Sequence, residues 1–392
     1  MQTGLSKEAR EVKIRHVQEI FRGEFGKVHS RFVAEALVGM TASGSVRLSE
    51  IARALEEDIP LHATRKRLSR NLALEELEEG ISNKVLERGS ISVGQDTLLV
   101  ASTSRLQKKY AKNMEFIDRL EGDDEGHEQT GRNGYSICEV SASEAGSNSI
   151  LPLAKSLWSR NAPDAASDTE KVRSMVDRVR GATEGRGVVA YKTSCENLDL
   201  LTPWTADPDF RYLVELDDHE GQLLYKKKAT PVTELIGQCE LVYGDVCQKV
   251  LEDGEEVSNI AQFGFLPVRL PECPDRPLGL VCATDRTMQV RHGFLTTKPM
   301  RRSRKVLQTV VEAAYRATLA ERTAALYSQS FDFDDVRVLG YQRLKNMTAL
   351  TLLNSQYLAR LAPEAIHSEG GLEFNNGNVS SPPIQRRSYA SA

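Results

Sequence analysis

The hydrophobic residues in the first quarter of the chain recur at helical spacing. Apolar positions lie three or four residues apart from Val12 to Leu77, and no alternation of apolar and polar residues interrupts them. Ser49 stands in the position of an N-cap before the run EIARAL, and Pro60 ends that helix. We therefore predict an all-helical N-terminal domain over residues 1–90.

The helix predicted after Pro60 is strongly basic. Its sequence HATRKRLSRNL carries four basic residues, which are Arg65, Lys66, Arg67 and Arg70. Together with the preceding helix it resembles a helix-turn-helix, in which the second helix docks on DNA. The other interpretation is a solvated basic face on an ordinary helical bundle, and both interpretations remain open at this point.

From about residue 91 the pattern changes to that of β-strands. The predicted strands are 97–101, 135–142, 150–157, 187–191 and 210–216. The first three follow one another closely and favour a meander. A helix over 167–182 then leads directly into the strand GVVAY, and such a connection favours parallel pairing. We predict an α/β fold with a mixed five-stranded sheet and flanking helices.

The second half of the chain contains a β-rich stretch and then helices. Short strand-like runs broken by proline and glycine indicate a β-rich insertion, and helical spacing returns at 303–328 and 341–361. The final residues are polar and rich in Gly, Ser and Pro, which is typical of a disordered tail. The predicted units are 1–90, 91–216, 217–297, 298–362 and 363–392.

The composition of the 392-residue chain excludes several classes of protein. A net charge of -4 excludes a uniformly basic coat for nucleic acid but permits a local basic face. No run of about 18 apolar residues occurs, and the N-terminus lacks the apolar stretch of a signal peptide. The six cysteines form no CxxC pair and no zinc-ligand spacing with histidine. We expect a reduced cytoplasmic protein with no membrane segment, no disulfide and no structural metal.

Eight segments together resemble a known family. They are KKYAKNMEF, GYSICEV, PLAKSLWS, RGVVAYKTSCENLDLL, FRYLVEL, LLYKKK, FLTTKPMRRSRKVLQTVVEAAY and FDFDDVRVLGYQRLKN. In order and spacing, over roughly residues 90–360, they are similar to the cut-and-paste DDE transposases of bacterial insertion sequences, in particular the large family with a β-rich insertion before its final acid. The resemblance implies an RNase H-like core, a helical N-terminal DNA-binding part, and dimeric action on transposon ends.

The family's chemistry requires three carboxylates that hold two divalent ions, which activate the attacking oxygen and stabilise the leaving oxygen. Counting along the family pattern puts Ser102 in the place of the first aspartate and Lys192 in the place of the second. A hydroxyl is a poor substitute for a carboxylate. An ammonium group repels a cation 4 Å away by roughly 4 kcal/mol per unit charge at an effective dielectric of 20, and by about twice that for a divalent ion.

The Tyr, Arg, Glu, Lys signature of the family falls on Ala314, Ala317, Glu321 and Ser328. Only the glutamate is retained, while residues that shape the core are kept. The sequence therefore predicts a transposase-like protein that binds double-stranded DNA but is catalytically impaired, with no cofactor. We expect Ser102 and Lys192 at neighbouring strand ends of one sheet, with Glu321 approaching them from a helix.

Other interpretations remain open. In an active transposase, Asp96, Glu196 and Glu321 would form a displaced acid set that binds Mg²⁺. Asp96 follows a glycine before the strand, however, and is more simply a turn residue, while Glu321 could be a solvated helix residue. A third interpretation is a decayed remnant of an insertion sequence with no selected role.

A second basic run stands at the start of the helix that leads to Glu321. The run MRRSRK contains Arg301, Arg302, Arg304 and Lys305. In a transposase this region would meet the DNA backbone, and phosphate contact is the functional interpretation. The alternative is an exposed basic face without a partner.

Overall fold

The structure is a computed structural model of the chain. It describes residues 14–361 except 16, 19, 22, 109–110, 112, 121–131, 145–149, 194, 217–220, 251–255, 286–290 and 330. The tail predicted for 363–392 and the first part of the predicted N-terminal domain lie outside the described residues. In the part of the chain that is described, no helix combines the length and apolar character needed to cross a membrane.

The regular elements between residues 27 and 90 are helices. They are α1 (Lys27–Ser43), α2 (Leu48–Ala54), α3 (Leu61–Asn71) and α4 (Leu77–Ser90). Pro60 directly precedes α3, but the prediction that it ends the preceding helix is wrong, because α2 already ends at Ala54. The prediction that Ser49 caps α2 is wrong, because the N-cap is Arg47 and Ser49 lies in the first turn. The hydroxyl of Ser45 instead accepts a hydrogen bond from the Arg47 backbone at 3.2 Å, which starts the helix two residues earlier.

The central strands and helices follow the predicted order. They are β1 (Leu98–Gln107), β2 (Asp118–Leu120), β3 (Arg132–Ser143), β4 (Ile150–Trp158), α5 (Asp168–Ala182), β5 (Val188–Thr193), α6 (Leu201–Ala206) and β6 (Tyr212–Leu216). The order across the sheet is β4-β3-β1-β5-β6. In this order, β4, β3 and β1 pair antiparallel, whereas β1, β5 and β6 pair parallel. Ser167 and Glu170 form a capping box that begins α5.

The β-rich segment extends this sheet. Its elements are β7 (Gln222–Tyr225), β8 (Lys228–Pro231), α7 (Val232–Gln238), β9 (Tyr243–Val250), β10 (Glu256–Val268), β11 (Leu278–Asp285) and β12 (Arg291–Thr296). Strand β12 pairs antiparallel with β6, and the sheet continues through β11 and β10 to β9. The predicted insertion is therefore joined by backbone hydrogen bonds to the central strands, apart from the β7-β8 hairpin.

Two helices complete the described chain and cover different parts of the core. Helix α8 (Arg304–Gln329) packs across one face of the sheet, where Ala320 joins Leu98, Val100 and Ala190 in one apolar cluster. Helix α5 covers the opposite face. Helix α9 (Tyr341–Leu361) shares its apolar cluster with the N-terminal helices. The apolar face of α8 thus fixes which sheet residues lie beneath it.

Polar contacts also tie α9 to the N-terminal helices. The Asn346 side-chain amide donates hydrogen bonds to the carbonyl oxygens of Leu72 and Leu74 at 2.9 and 2.7 Å. The Gln356 amide donates to the carbonyl oxygens of Val85 and Pro152, both at 2.9 Å. Because Asn346 and Gln356 are buried, these bonds satisfy side-chain amide donors that water cannot reach. Helix α9 therefore belongs to the same helical layer as the N-terminal helices.

Candidate functional site

Ser102 and Lys192 occupy corresponding positions on neighbouring parallel strands. The register of β1 and β5 pairs Leu98 with Val188 and ends with Val100 opposite Ala190. Ser102 and Lys192 each follow this last pair by two residues. Since side chains alternate between the faces of a strand, both residues share the face of Val100 and Ala190, which lies under α8.

A small pocket forms between this face and α8. Its cavity volume is about 20 Å³, which is space for about one water molecule. Its lining residues are Val100, Ala101, Ala190, Tyr191, Lys192, Leu213, Glu215, Phe294, Ala314, Ala317, Thr318 and Glu321. Glu321 thus approaches Lys192 from a helix, as the sequence predicts, and both residues are engaged in interactions.

A row of charged residues crosses the sheet at this level. The strand registers place Lys155 opposite Glu139, Glu139 opposite Ser102, and Lys192 opposite Glu215. From β4 to β6 the row therefore runs positive, negative, neutral, positive and negative, with Ser102 as the neutral residue. Sequence reasoning missed Glu139, Lys155 and Glu215. A usable signal was present for two of them, since Glu139 is the single charged residue of YSICEVSA and Lys155 that of ILPLAKSLW. A strand interior rarely holds an unpaired charge.

Glu139 and Lys155 form a buried ion pair. Lys155 Nζ lies 3.2 Å from Glu139 Oε2, and the side chains of Lys155 and Glu139 are 2% and 10% exposed. The Lys155 ammonium group also lies 5.5 Å from the centre of the Phe333 ring. The carboxylate beside Ser102 is therefore already neutralised by a protein cation.

Glu215 has a partner on the other side of the row. His292 Nδ1 on β12 lies 3.1 Å from Glu215 Oε1. Both side chains are partly exposed, and the contact is an ion pair only when the imidazole is protonated. His292 therefore lies at the edge of the candidate site.

Tyr191 is a largely buried tyrosine at the edge of the pocket. Burial is the main cause that raises the pKa of its hydroxyl to about 12, and Cys138, Asp168 and Glu321 add smaller effects. A hydrogen bond with Thr103 acts in the opposite direction. Tyr191 consequently remains protonated at neutral pH, within electrostatic reach of Glu321.

The displaced acid set is not assembled through Asp96. Asp96 lies two residues before β1, its side chain is 94% exposed, and its Oδ1 is 3.8 Å from Arg211 Nη1. Six residues of extended chain separate it from Ser102, which is roughly 20 Å. Glu196 lies in the short 3₁₀ helix Cys195–Leu200 that follows β5, but its side chain is outside the described residues. The side chain of Ser328 is also outside them.

The donor set around the pocket does not fit the two-metal centre of the transposase family. Among described residues, no three His, Cys, Asp or Glu side chains are grouped so that they could hold a metal ion. Hard divalent ions require several oxygen ligands, whereas Ser102 offers a single hydroxyl and Lys192 offers a cation. No catalytic step is therefore assigned to a metal ion.

Arg67 is held inside the helical layer, unlike its basic neighbours on α3. Its guanidinium group donates to Glu35 Oε2 at 2.6 Å and to Glu57 Oε2 at 2.7 Å. Glu35 is buried, so Arg67 compensates a buried carboxylate. Its guanidinium group is therefore engaged with protein carboxylates. Arg65, Lys66 and Arg70 are exposed.

The second basic run lies at the N-terminal end of α8. Arg301, Arg302, Arg304 and Lys305 are in this run, and Arg304 Nη2 contacts Asp245 Oδ2 on β9 at 2.6 Å. A helix rises about 1.5 Å per residue, so Arg304 and Glu321 lie roughly 26 Å apart along the axis. This basic run and the pocket are thus separate parts of one helix.

No protein-family model and no curated protein matches the chain.

Proposed function

We propose that the chain is a transposase-like protein with an RNase H-like core that binds double-stranded DNA and has lost its cleavage chemistry. One observation carries the proposal. Lys192, Ala314, Ala317 and Glu321, which the order of sequence segments assigns to family catalytic positions, line the same pocket. Ala314, Ala317 and Glu321 share one face of α8, so the informative relationship is that this face meets Lys192 of the distant strand β5.

The strand arrangement supports the same proposal. An RNase H-like core has an antiparallel meander followed by two strands parallel to its first strand. The order β4-β3-β1-β5-β6, with a helix on each face, agrees with that plan. Ser102 and Lys192 then stand at the strand positions that the resemblance gives to the first two acids.

The charges at the site favour binding without cleavage. Lys192 lines the pocket together with Glu215 and Glu321, so its charge offsets theirs and lessens their repulsion of a phosphate backbone. The same charge opposes a divalent ion. Ala314 and Ala317 replace the tyrosine and arginine of the family signature, which removes two groups that would act on the scissile phosphate.

The DNA contacts are assigned to two basic surfaces. The first comprises Arg65, Lys66 and Arg70 on α3, and the second comprises Arg301, Arg302 and Lys305 before and at the start of α8. Exposed lysine and arginine side chains bind duplex DNA by neutralising phosphates and releasing counterions. As the resemblance implies, the binding unit is a homodimer on duplex DNA.

The test is the salt dependence of duplex binding. Fluorescence anisotropy at several salt concentrations should give a log-log slope of about -0.9 per neutralised phosphate. Neutralising Arg65, Lys66 and Arg70 to glutamine should flatten the slope by roughly 2 to 3. A matched control neutralises Lys226, Lys227 and Lys228, which lie at the turn between β7 and β8. Equal effects of the two triple variants, or no duplex binding by the native chain, would refute the proposal.

A further inference from the structure

Cys282 lies in a shallow depression of the sheet that two glycines create. On β11 it is directly opposite Gly264 of β10 and Gly293 of β12. A Cβ atom on Gly293 would lie 2.6 Å from Cδ1 of Ile236 on α7. The missing side chains therefore allow α7 to pack closely against the sheet at Cys282.

The same depression receives Cys239, the residue that ends α7. A Cβ atom on Gly264 would collide with the Glu240 carbonyl oxygen and would lie 3.3 Å from Cys239 Sγ. Directly opposed residues have Cβ positions about 5 Å apart, so the Cys239 sulfur lies beside Cys282. Both cysteines are free thiols.

Arg291 fixes the end of α7 in this place. Its Nη1 donates hydrogen bonds to the carbonyl oxygens of Ile236, Gly237 and Cys239 at 2.8, 2.8 and 3.3 Å. These bonds satisfy carbonyl groups at the helix end and bring a positive charge close to Cys239. The position of the Cys239 sulfur is thus determined by packing and by hydrogen bonds.

The two thiols have different acidities. A hydrogen bond from Cys282 is the main cause that lowers the pKa of Cys239, and the charge of Arg291 acts in the same direction against burial. That hydrogen bond and burial raise the pKa of Cys282. Cys239 is therefore the better nucleophile of the two. Its residue is 2% exposed, and its chain neighbours Gln238 and Glu240 are exposed.

We propose that Cys239 and Cys282 are a redox modification site, at which a small peroxide converts the dithiol to a disulfide. The Cys239 thiolate attacks one peroxide oxygen, the O–O bond breaks, and the first water leaves while Cys239 becomes a sulfenic acid. The Cys282 thiol then attacks the Cys239 sulfur, the S–S bond forms, the S–O bond breaks, and the second water leaves. Two electrons pass from the thiols to hydrogen peroxide, and the two thiol protons end in the two waters. This site is independent of the proposed DNA binding.

The test maps the linkage in the full-length native chain. The protein is treated with hydrogen peroxide, the peroxide is removed with catalase, and the protein is unfolded in an alkylating reagent before peptide mass spectrometry. The expected result is a linked pair of peptides containing Cys239 and Cys282, two hydrogen atoms lighter than the separate peptides and cleaved by dithiothreitol. Linkage of either residue to another cysteine, or full alkylation of both, would overturn the proposal.

Two serine variants test the order of the steps. In Cys282→Ser, the Cys239 sulfenic acid has no resolving thiol and should be trapped by dimedone. In Cys239→Ser, Cys282 should remain unlabelled, and labelling there would contradict its assignment as the resolving thiol. Cys138→Ser is the matched control, because burial raises the pKa of that thiol to about 12, and this variant should still form the 239–282 link.

Discussion

Ser102 on β1 and Lys192 on β5 each lie two residues beyond Val100 and Ala190, the last pair that joins these two parallel strands. Because side chains alternate along a strand, both lie on the face of the sheet that α8 covers. Glu321 of α8 and Glu215 of β6 complete the surroundings of Lys192. If the proposed function holds, a protein cation stands where a transposase would hold metal ions.

Restoring one carboxylate at this place should not restore cleavage. Ser102→Asp alone should form an ion pair with Lys192, which leaves no room for a divalent ion. The double variant Ser102→Asp, Lys192→Asp places three carboxylates around the pocket with Glu321, and we expect slow metal-dependent nicking of supercoiled DNA that carries the cognate ends. Nicking by the single variant that equals the double variant would contradict this interpretation of Lys192.

The buried pair of Glu139 and Lys155 should be important for stability. Lys155→Met leaves Glu139 buried without its charge partner, and we expect a loss of about 3 kcal/mol in the free energy of unfolding. The double variant Glu139→Leu, Lys155→Met should recover much of that loss, because no charge remains to be desolvated. Urea unfolding of the native chain and the variants measures the effect. Equal losses in the single and double variants would show that the ion pair is not the cause.

Alanine variants of Arg67 and Arg65 should affect different properties, the first stability and the second DNA binding. Arg67→Ala removes hydrogen bonds to Glu35 and Glu57 and should lower the free energy of unfolding by about 2 kcal/mol, with the salt dependence of DNA binding unchanged. Arg65→Ala on the exposed side of α3 should leave stability within about 0.5 kcal/mol and flatten the salt slope by roughly 0.9. The reverse assignment of the two effects would show that α3 meets DNA with its other face.

Lys108 should make stability rise at alkaline pH. Burial is the main cause that lowers its pKa to about 8, and its ammonium group donates hydrogen bonds to the backbone carbonyls of Asp334 and Val336. Between about pH 8 and its ordinary pKa of 10.5, the unfolded chain binds more protons at this residue than the folded chain. Stability from Lys108 therefore increases with pH across that interval.

The comparison that isolates this effect is Lys108→Met against the native chain. Tyrosines with raised pKa values, such as Tyr135, respond at higher pH in both proteins. The native chain should gain stability relative to the variant as the pH rises from about 8 to 10.5, measured by urea unfolding. A difference between the two proteins that stays constant over this interval would contradict the lowered pKa.

Local patterns predicted most of the elements, but not their pairing beyond the core. The periodicity from Tyr341 to Leu361 gives the bounds of α9, since helical spacing depends on neighbours along the chain. The pairing of β12 with β6 joins distant segments, and no local pattern specifies it. The start of α2 depends on Ser45, because its hydroxyl accepts a hydrogen bond from the Arg47 backbone N–H. Residue preferences for helix caps do not decide between Ser45 and Ser49 for this role.

The candidate site was predicted only in part, for the same reason. Matching segments to a family identified Ser102, Lys192 and Glu321, because those positions follow sequence order. Glu139 and Glu215 became visible only through the strand registers that place them in line with Ser102 and Lys192. Partners across a sheet are set by tertiary pairing, so a list of motifs could not contain them.

Binding and nicking measured on the same DNA distinguish a disabled transposase from a working one. The native chain is incubated with supercoiled DNA carrying the cognate ends, selected from random duplexes by binding, in the presence of Mg²⁺ or Mn²⁺. We predict a salt-sensitive complex on the DNA and no metal-dependent increase in nicked circles. Metal-dependent nicking by the native chain that Glu321→Gln or Glu196→Ala abolishes would contradict the loss of cleavage chemistry and would establish a working acid set.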